Sequence, residues 1–329
     1  MESKQLNQEE IEQIAEDYQY SDFMVRELMI NYPDDYLEVI RAFEKPSLEM
    51  IRTNTLKIQP QALKKRLENK GFRLKKAQWI DYAYIVDTRN SKLSLGATHE
   101  YLMGYYYIQD LASMIPVYFL SPRPGDKVID MCAAPGGKTT HIGQYLKQKG
   151  TIIAIDRKES RLKSLISNIN RCGILNSMVF PYDGKDLNKI PKFRHWANKI
   201  LLDAPCTGSG IIRKDKSRKM SRNLKDVKEM AKIQKSLLKT GLEILKPGGL
   251  LLYSTCSFHY RENEQVVAEV SASRDDVNII EPFKVDIGLP GLIKAENREF
   301  GYDMLKTRRM YPNVHDTDAF FYCLLEKKK

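Results

Sequence analysis

From residue 108 onward, short apolar runs alternate with longer amphipathic segments. The apolar runs have the length of β-strands and lie at 128–129, 151–155, 178–180, 199–202 and 250–253. The amphipathic segments predict helices at 139–147, 160–171 and 227–245, the last one ended by Pro247-Gly248-Gly249. Strands that alternate with helices in this way predict an α/β fold with a doubly wound parallel sheet over residues 108–329.

Residues 1–46 have a different pattern, in which apolar side chains recur three and four positions apart. These side chains are Ile11, Ile14, Ala15 and Tyr18, then Phe23, Val25, Leu28 and Met29, then Tyr36, Leu37, Ile40 and Phe43. This spacing predicts amphipathic helices that form a small helical cap. Ser21 and Asp22 are candidate N-caps, and Pro33 is expected to open the third helix.

Residues 47–107 predict a small basic α+β domain with an RRM-like arrangement. A strand is expected at 51–56, a helix at 60–70 ended by Gly71, and a further strand at 83–86. The segment carries Lys57, Lys64, Lys65, Arg66, Lys70, Arg73, Lys75 and Lys76. We weigh two interpretations of these cations equally: a solvated surface, and contacts to an RNA backbone.

The 329 residues carry a formal charge of +11, from 53 basic and 42 acidic side chains. This excess is compatible with a polyanionic partner such as nucleic acid. No apolar stretch approaches the ~20 residues of a membrane span, and the polar N-terminus does not resemble a signal peptide. We therefore expect a cytoplasmic protein that has no membrane partner.

The five cysteines are widely spaced, odd in number and without a CxxC pair. A disulfide framework or a zinc site is not expected, so we predict reduced thiols and no metal. Cys172 and Cys323 are interpreted as buried packing residues, and Cys132 as part of a loop.

The loop Asp130 to Thr140 follows the first strand of the predicted sheet and contains Gly136-Gly137-Lys138-Thr139. The phosphate-binding P-loop pattern requires glycine where Cys132 stands, and the dinucleotide pattern G-x-G-x-x-G is absent. Two adjacent glycines still allow a ligand to approach the backbone closely. The loop therefore predicts a nucleoside cofactor without a diphosphate.

Three carboxylates are expected at strand ends, namely Asp156, Asp183 and Asp203. Asp156 stands where an acid commonly binds ribose hydroxyls, and Asp183 would lie beside an adenine. A single aspartate in such a place is more often a turn or N-cap residue, but three in register favour a site. S-adenosylmethionine fits this set, because it is an adenosine with a cationic sulfonium and no phosphate.

Two further loops carry cysteines after predicted strands: Cys206 in Asp203-Ala204-Pro205-Cys206, and Cys256 in Ser254-Thr255-Cys256-Ser257. A thiolate that adds to C6 of cytosine makes C5 nucleophilic enough to accept a methyl group, and a second thiol can assist release. A carboxyl group on N3, for which Asp203 is the candidate, would stabilise the ring charge, with Lys138 orienting it. The alternative is a pair of inert buried thiols.

These loops together resemble the Sun/Fmu (Nol1/Nop2/Sun) family of RNA cytosine-5 methyltransferases. The matching motifs are Arg52 to Lys57, Gly104 to Ser113, Asp130 to Thr139, Asp156 with Arg161, Asp183-Gly184, Asp203 to Cys206, Ser254 to Ser257, Glu262 to Glu264, Arg309 to Pro312, and Ala319 to Phe321. The resemblance implies a Rossmann-like class I methyltransferase domain.

The resemblance also implies residue roles. Cys256 would be the nucleophile and Cys206 would assist product release, with Asp203 and Lys138 beside them. S-adenosylmethionine would be bound by Cys132, Ala133, Ala134, Pro135, Gly136, Gly137, Lys138, Asp156, Arg161, Asp183 and Asp203.

The chain ends without the PUA domain that several members of this family carry, and this compact form resembles the tRNA-modifying members. We therefore expect a monomer that methylates tRNA, with ribosomal RNA as the alternative substrate. A non-catalytic RNA-binding or ribosome-assembly factor is the less favoured function. A basic segment beside Cys206 is expected to contact the RNA through Arg213, Lys214, Lys216, Arg218 and Lys219.

Overall fold

The structure is a computed structural model that describes residues 7–283 and 286–329. The chain forms two compact units, and each is discontinuous in sequence. Unit 1 comprises Met1–Ser47, Ala204–Lys239 and Tyr253–Glu326, and unit 2 comprises Leu48–Asp203, Thr240–Leu252 and Lys327–Lys329. The first six residues of the predicted cap lie outside the described residues.

The N-terminal segment of unit 1 forms the three predicted helices, α1 (Gln8–Tyr18), α2 (Asp22–Asn31) and α3 (Tyr36–Glu44). Ser21 caps α2, because its side chain accepts a hydrogen bond from the backbone N–H of Met24. Pro33 does not open α3 as predicted, since it lies in the turn before Tyr36. The apolar faces of the helices share a core with Phe258 and Ala319 of the same unit.

Unit 2 begins with the small domain, whose elements follow the order strand, helix, strand, strand, helix, strand. They are β1 (Met50–Thr53), α4 (Pro60–Glu68), β2 (Arg73–Lys76), β3 (Ala83–Asp87), α5 (His99–Leu102) and β4 (Tyr106–Ile108). Their antiparallel sheet has the order β2-β3-β1-β4. The predicted α+β arrangement is present, but the boundary placed at 107–108 falls inside β4.

The remaining chain continues the alternation of helices and strands. In chain order its elements are α6 (Leu111–Leu120), β5 (Lys127–Asp130), α7 (Gly137–Leu146), β6 (Thr151–Asp156), α8 (Glu159–Cys172), β7 (Ser177–Pro181), β8 (Ala197–Asp203), α9 (Leu224–Ile244), β9 (Leu245–Thr255), α10 (Glu264–Ala272), β10 (Val277–Ile280), β11 (Leu289–Pro290), β12 (Lys294–Ala295), β13 (Arg298–Glu299), β14 (Arg308–Met310), α11 (Pro312–His315) and β15 (Phe320–Lys327). The predicted stop Pro247-Gly248-Gly249 is part of β9, because α9 already ends at Ile244.

In unit 2 the strand order is β9-β8-β5-β6-β7, and β5 is parallel to both β6 and β8. The chain runs from β5 outward to β7 and then returns to the other side of β5 at β8. This reversal confirms the doubly wound sheet, and ligands of such sheets bind beyond the carboxyl ends of the strands at the reversal. Asp130, Asp156 and Asp203 are the last residues of β5, β6 and β8.

In unit 1 β14 is antiparallel to both β11 and β15. The final residues of β9 belong to this unit and carry the chain into the Cys256 loop. Among the helices in the described part of the chain, none is long and apolar enough to span a membrane.

Candidate active site

The loop between β5 and α7 is fixed by hydrogen bonds at both of its ends. The hydroxyl of Thr139 donates to Asp130 Oδ2 at 2.8 Å, and the N–H of Ala133 donates to the carbonyl of Ile155 at 2.8 Å. Gly136 is the N-cap residue that precedes α7, and its φ of +105° is a conformation that favours glycine. A Cβ added there would lie 3.0 Å from the side chain of Leu165. The predicted cofactor loop is therefore a rigid turn.

Asp156 is buried and binds this loop directly. Its Oδ2 accepts a hydrogen bond from the backbone N–H of Ala134 at 3.2 Å, and its Oδ1 accepts a hydrogen bond from the backbone N–H of Lys158 at 3.0 Å. Arg161 forms an ion pair with Oδ2 at 3.2 Å and also donates to the carbonyl of Ala134. The structure thus brings together Asp156, Arg161 and the loop, three members of the predicted cofactor set.

Lys138 and Asp203 form an ion pair, with Nζ 2.7 Å from Oδ2 and both side chains partly buried. Lys138 lies in the first turn of α7 and Asp203 ends β8, so the pair connects the two strands at which the chain order reverses. The predicted orienting contact between Lys138 and Asp203 is therefore present.

Asp183 lies two residues beyond β7 and caps a 3₁₀ turn. Its Oδ1 accepts a hydrogen bond from the N–H of Lys185 at 3.0 Å, and the Lys185 ammonium lies 3.4 Å from Oδ2. The turn-capping alternative therefore describes what Asp183 does in the chain. Its contact with an adenine stays a prediction.

Burial perturbs two further groups of this loop. It raises the pKa of Asp130 to about 7, and it raises the pKa of the Cys132 thiol well above its ordinary value. Cys132 is thus a protonated packing residue at neutral pH, whereas Asp130 titrates near neutrality.

Arg52 is a site residue to which the sequence analysis gave no role, although the motif Arg52 to Lys57 had been noted. Its buried guanidinium donates to the carbonyl of Gly137 at 2.6 Å and to Thr140 Oγ1 at 2.8 Å, and it also bonds Gln109. These contacts hold the first turn of α7 against β1. All four positions of β1 are buried. The sequence signal for the role of Arg52 is therefore a charged residue within a short strand.

The two predicted thiols lie together in unit 1. Cys206 Sγ is 3.2 Å from Cys256 Sγ, within hydrogen-bonding distance for sulfur. The Gly210 N–H donates to the carbonyl of Cys256 at 2.9 Å, and the Ala204 N–H donates to that of Ser254 at 2.8 Å. The two cysteine loops are therefore joined on both sides of the sulfur pair.

The environment of the pair acts on the Cys206 thiol. The hydrogen bond with Cys256, burial, and the negative charges of Cys256 and Glu262 together raise the pKa of the Cys206 thiol well above its ordinary value. Cys206 therefore keeps its proton at neutral pH and can donate it to the sulfur of Cys256.

The basic segment beside Cys206 is paired within unit 1. Arg213 donates to the carbonyl of Pro46, Lys216 to that of Phe43, and Lys219 to that of Tyr18. Lys214 pairs with Asp318, and Arg218 pairs with Asp215. Three of the five cations that are predicted to contact RNA thus bind backbone carbonyls of the N-terminal segment.

The pairing limits which of these side chains remain available. The side chains of Arg213 and Lys219 are only 2% and 10% exposed, so they cannot reach an RNA phosphate without leaving their partners. Lys214, Lys216 and Arg218 keep larger exposed fractions, and their contact with RNA stays a prediction. Within residues 7–283 and 286–329, no cluster of His, Cys, Asp and Glu could hold a metal ion.

The fold and these sites define an α/β protein with a cofactor loop at the reversal of a doubly wound sheet and a pair of adjacent thiols. The chain belongs to the 16S rRNA methyltransferase RsmB/F family, whose model matches residues 117–326. The model for the N-terminal domain of 16S rRNA methyltransferase RsmF matches residues 21–111. These matches confirm the family resemblance that the motifs indicated.

Individual relatives agree with this family. A 28S rRNA (cytosine-C(5))-methyltransferase of Mus musculus is 37% identical over 320 residues, which are 95% of this chain and 40% of the relative. Ribosomal RNA small subunit methyltransferase F of Vibrio parahaemolyticus is 34% identical over 296 residues. These are 88% of this chain and 59% of the length of that relative. The chain thus spans 40% and 59% of these two curated relatives.

A solved structure matches over the whole of its length. The methyltransferase homolog protein from Pyrococcus horikoshii has a TM-score of 0.86 and 35% sequence identity, and the match covers 98% of this chain and 100% of that one. The α/β methyltransferase fold is therefore shared with that protein over 98% of this chain.

Proposed function

We propose that this protein transfers a methyl group from S-adenosylmethionine to C5 of a cytosine in RNA. The observation that carries the proposal is the 3.2 Å separation of the Cys206 and Cys256 sulfurs. Two thiols side by side, one of which keeps its proton, suit a reaction in which one sulfur adds to a ring and the other assists its departure.

The residues at the strand ends fit the proposed cofactor. The N-terminus of α7 has no side-chain cap, so its N–H groups suit a carboxylate. Asp156 Oδ1 accepts one N–H and has a lone pair left for a ribose hydroxyl. The carboxylates of Asp130 and Asp203 suit a nearby cation, and S-adenosylmethionine supplies an electrophilic methyl group on a cationic sulfonium.

Cys256 would add to C6 of the cytosine, forming the Cys256–C6 bond and shifting electron density to C5 and N3. The carboxyl group of Asp203, oriented by Lys138, would donate a hydrogen bond to N3 in its protonated form, because N3 of cytosine is an acceptor. Only two residues separate Asp203 from Cys206, so the chain limits their Cα separation to about 11 Å. After transfer, a base takes the C5 proton, the C6–S bond breaks, and the Cys206 thiol donates to the departing sulfur.

The RNA class is the open part of this proposal. The curated relatives carry names of ribosomal RNA enzymes, which favours rRNA, and tRNA is the other candidate. We retain both as candidates. In the small domain, Lys65, Arg73 and Lys75 are exposed and form no ion pair with any described residue, so we propose that they contact the RNA backbone.

The test is transfer of a labelled methyl group to unmodified rRNA and, separately, to unmodified tRNA, followed by nucleoside analysis. 5-Methylcytidine in one RNA class alone identifies the substrate, and Cys256→Ser is the matched inactive variant. A labelled nucleoside other than 5-methylcytidine would overturn the chemistry. Absence of label in both, with RNA binding retained, would favour a non-catalytic assembly factor.

A further inference from the structure

Glu262 lies in a 3₁₀ turn six residues beyond Cys256, and its side chain is completely buried. A buried carboxylate costs free energy unless hydrogen-bond donors surround it. No described residue forms an ion pair with Glu262, so its donors are neutral groups. The site described so far assigns it no role.

The donors to Glu262 come from both cysteine loops. On the Cys206 side, the N–H of Thr207 donates to Oε1 at 2.9 Å and its hydroxyl donates to Oε2 at 2.5 Å. On the Cys256 side, the hydroxyl of Ser257 donates to Oε2 at 2.5 Å. Thr207 and Ser257 directly follow the two cysteines, so one carboxylate holds the neighbours of both sulfurs.

A fourth donor completes this arrangement. Gln234 Nε2 donates to Glu262 Oε1 at 3.0 Å and to the carbonyl of Pro205 at 2.9 Å, which also fixes the residue before Cys206. Charge-assisted bonds of this kind are roughly twice as strong as neutral ones. The carboxylate is therefore well placed to fix the loops in one relative position.

The charge of Glu262 also acts on the sulfur pair. It contributes to the raised pKa of Cys206, after the hydrogen bond with Cys256, burial and the charge of Cys256. The other charged or titratable groups nearby are Tyr253, which is buried, and Arg218 and Arg222, which donate to the carbonyl of Thr207.

We propose that Glu262 is a positioning residue of the thiol pair. Its hydrogen bonds to Thr207 and Ser257 hold the two cysteine loops so that the sulfurs lie at bonding distance. This role rests on the proposed function, because that reaction needs two adjacent sulfurs.

Substitution can separate the hydrogen bonds of Glu262 from its charge. In Glu262→Gln the amide oxygen can still accept hydrogen bonds from the Thr207 N–H and the Gln234 amide. The new amide NH₂ can donate to the hydroxyls of Thr207 and Ser257, which rotate so that their oxygens accept. This variant removes the charge and keeps the contacts. Glu262→Ala removes both. Glu264→Gln is the control, since Glu264 is an equally buried carboxylate that pairs with Arg309 and not with the cysteine loops.

The test is cross-linking of the two thiols by dibromobimane, a short reagent that bridges adjacent sulfurs. It uses the full chain without RNA or methyl donor. Wild type, Glu262→Gln and Glu264→Gln are expected to cross-link equally, and Cys206→Ala not at all. Glu262→Ala is expected to cross-link at least about tenfold more slowly than wild type, because the two cysteine loops lose the carboxylate that holds them together. Cross-linking of Glu262→Ala at the wild-type rate would overturn the positioning role.

The cross-linking readout is independent of methyl transfer, so it can fail while the proposed function holds, and the proposed function can fail while it succeeds. Circular dichroism checks that each variant is folded. If Glu262→Ala is not folded, Ser257→Ala replaces it, because it removes one donor from the Cys256 side and should also slow cross-linking.

Discussion

The sulfur of Cys206 lies 3.2 Å from the sulfur of Cys256, although the two cysteines are 50 residues apart in the chain. Each follows a strand of the doubly wound sheet, β8 for Cys206 and β9 for Cys256. A protonated thiol beside a second sulfur is an arrangement in which one group can attack and the other can assist departure. Four predictions test this site and the structure that supports it.

The two cysteines should behave differently when each is replaced. Cys256→Ser should lower methyl transfer at least about 10³-fold and leave RNA binding unchanged, because a serine hydroxyl is a far weaker nucleophile. Cys206→Ala should accumulate a covalent protein–RNA adduct, visible as a slower band on a denaturing gel. Wild-type methylation by Cys256→Ser would refute the nucleophile assignment, and absence of an adduct in Cys206→Ala would refute the release role.

Arg52→Ala should weaken both the fold and cofactor binding. The change removes the guanidinium that donates to the Gly137 carbonyl and to Thr140 Oγ1, and leaves the carbonyl only the Thr140 hydroxyl as a side-chain donor. The lost hydrogen bonds and buried side chain should lower the free energy of unfolding by about 2 to 4 kcal/mol. The first turn of α7 then shifts, and affinity for S-adenosylmethionine should fall by about tenfold or more. Urea unfolding and calorimetric titration measure the two effects.

The control for this prediction is Arg66→Ala, which removes a half-exposed arginine that pairs with Glu100 on the small domain. It should change the free energy of unfolding by less than about 1 kcal/mol. Equal effects of the two substitutions would contradict the supporting role of Arg52.

Asp130 should make the stability of the protein fall as the pH rises toward neutrality. Burial raises the pKa of Asp130 from 3.8 to about 7, so between these values the folded chain holds a proton that the unfolded chain releases. The free energy of unfolding then decreases with pH through this window and levels off above it. The Asp130→Asn variant cannot ionise at this position and should lack this decrease. The decrease in wild type should amount to a few kcal/mol at most, at about 1.4 kcal/mol for each pKa unit.

Urea unfolding of wild type and Asp130→Asn at several pH values checks the prediction. The two free energies should diverge from about pH 4 to about pH 7 in favour of the variant. Asp275→Asn, a change at an exposed position, should follow the wild-type curve. Parallel curves for wild type and Asp130→Asn would contradict the raised pKa.

Gly210→Ala should disrupt the thiol loops. An added Cβ would lie 2.1 Å from the carbonyl oxygen of Ala319 and 2.8 Å from that of Cys256, and both are backbone atoms. We expect a loss of about 3 kcal/mol or more in the free energy of unfolding, since overpacking against backbone cannot relax cheaply. Thermal unfolding measures the loss.

Gly208→Ala in the same loop is the matched comparison. Its Cβ would have no neighbour closer than 3.7 Å, so only the φ of +70° opposes the change. The expected cost is about 1 kcal/mol. If both alanine variants unfold at the same temperature, the close approach of Gly210 to Ala319 is not what the loop requires.

Much of the fold followed from local patterns. The spacing of Ile11, Ile14 and Phe43 predicted the N-terminal helices, and apolar runs predicted β6 and β8, because each pattern reports which face of one element is buried. Strands β2 and β4 were missed. In β2 only Leu74 is buried among Arg73, Lys75 and Lys76, so too little apolar signal remains to predict a strand.

The sequence by itself determined the family, the doubly wound order of elements, and the strand ends that carry Asp156, Asp203 and the two cysteine loops. These features depend on residue type and spacing within short segments, which the order of residues specifies directly.

Only the tertiary structure decided which distant groups meet. Lys219 bonds the carbonyl of Tyr18 across 201 residues and Arg213 that of Pro46 across 167, so the basic segment attaches the N-terminal segment of the chain. In the same way Glu262 came to hold both cysteine loops. Burial removes water from a charged or polar group, and the partner that replaces the water is chosen by packing across the whole chain, not by neighbours in sequence.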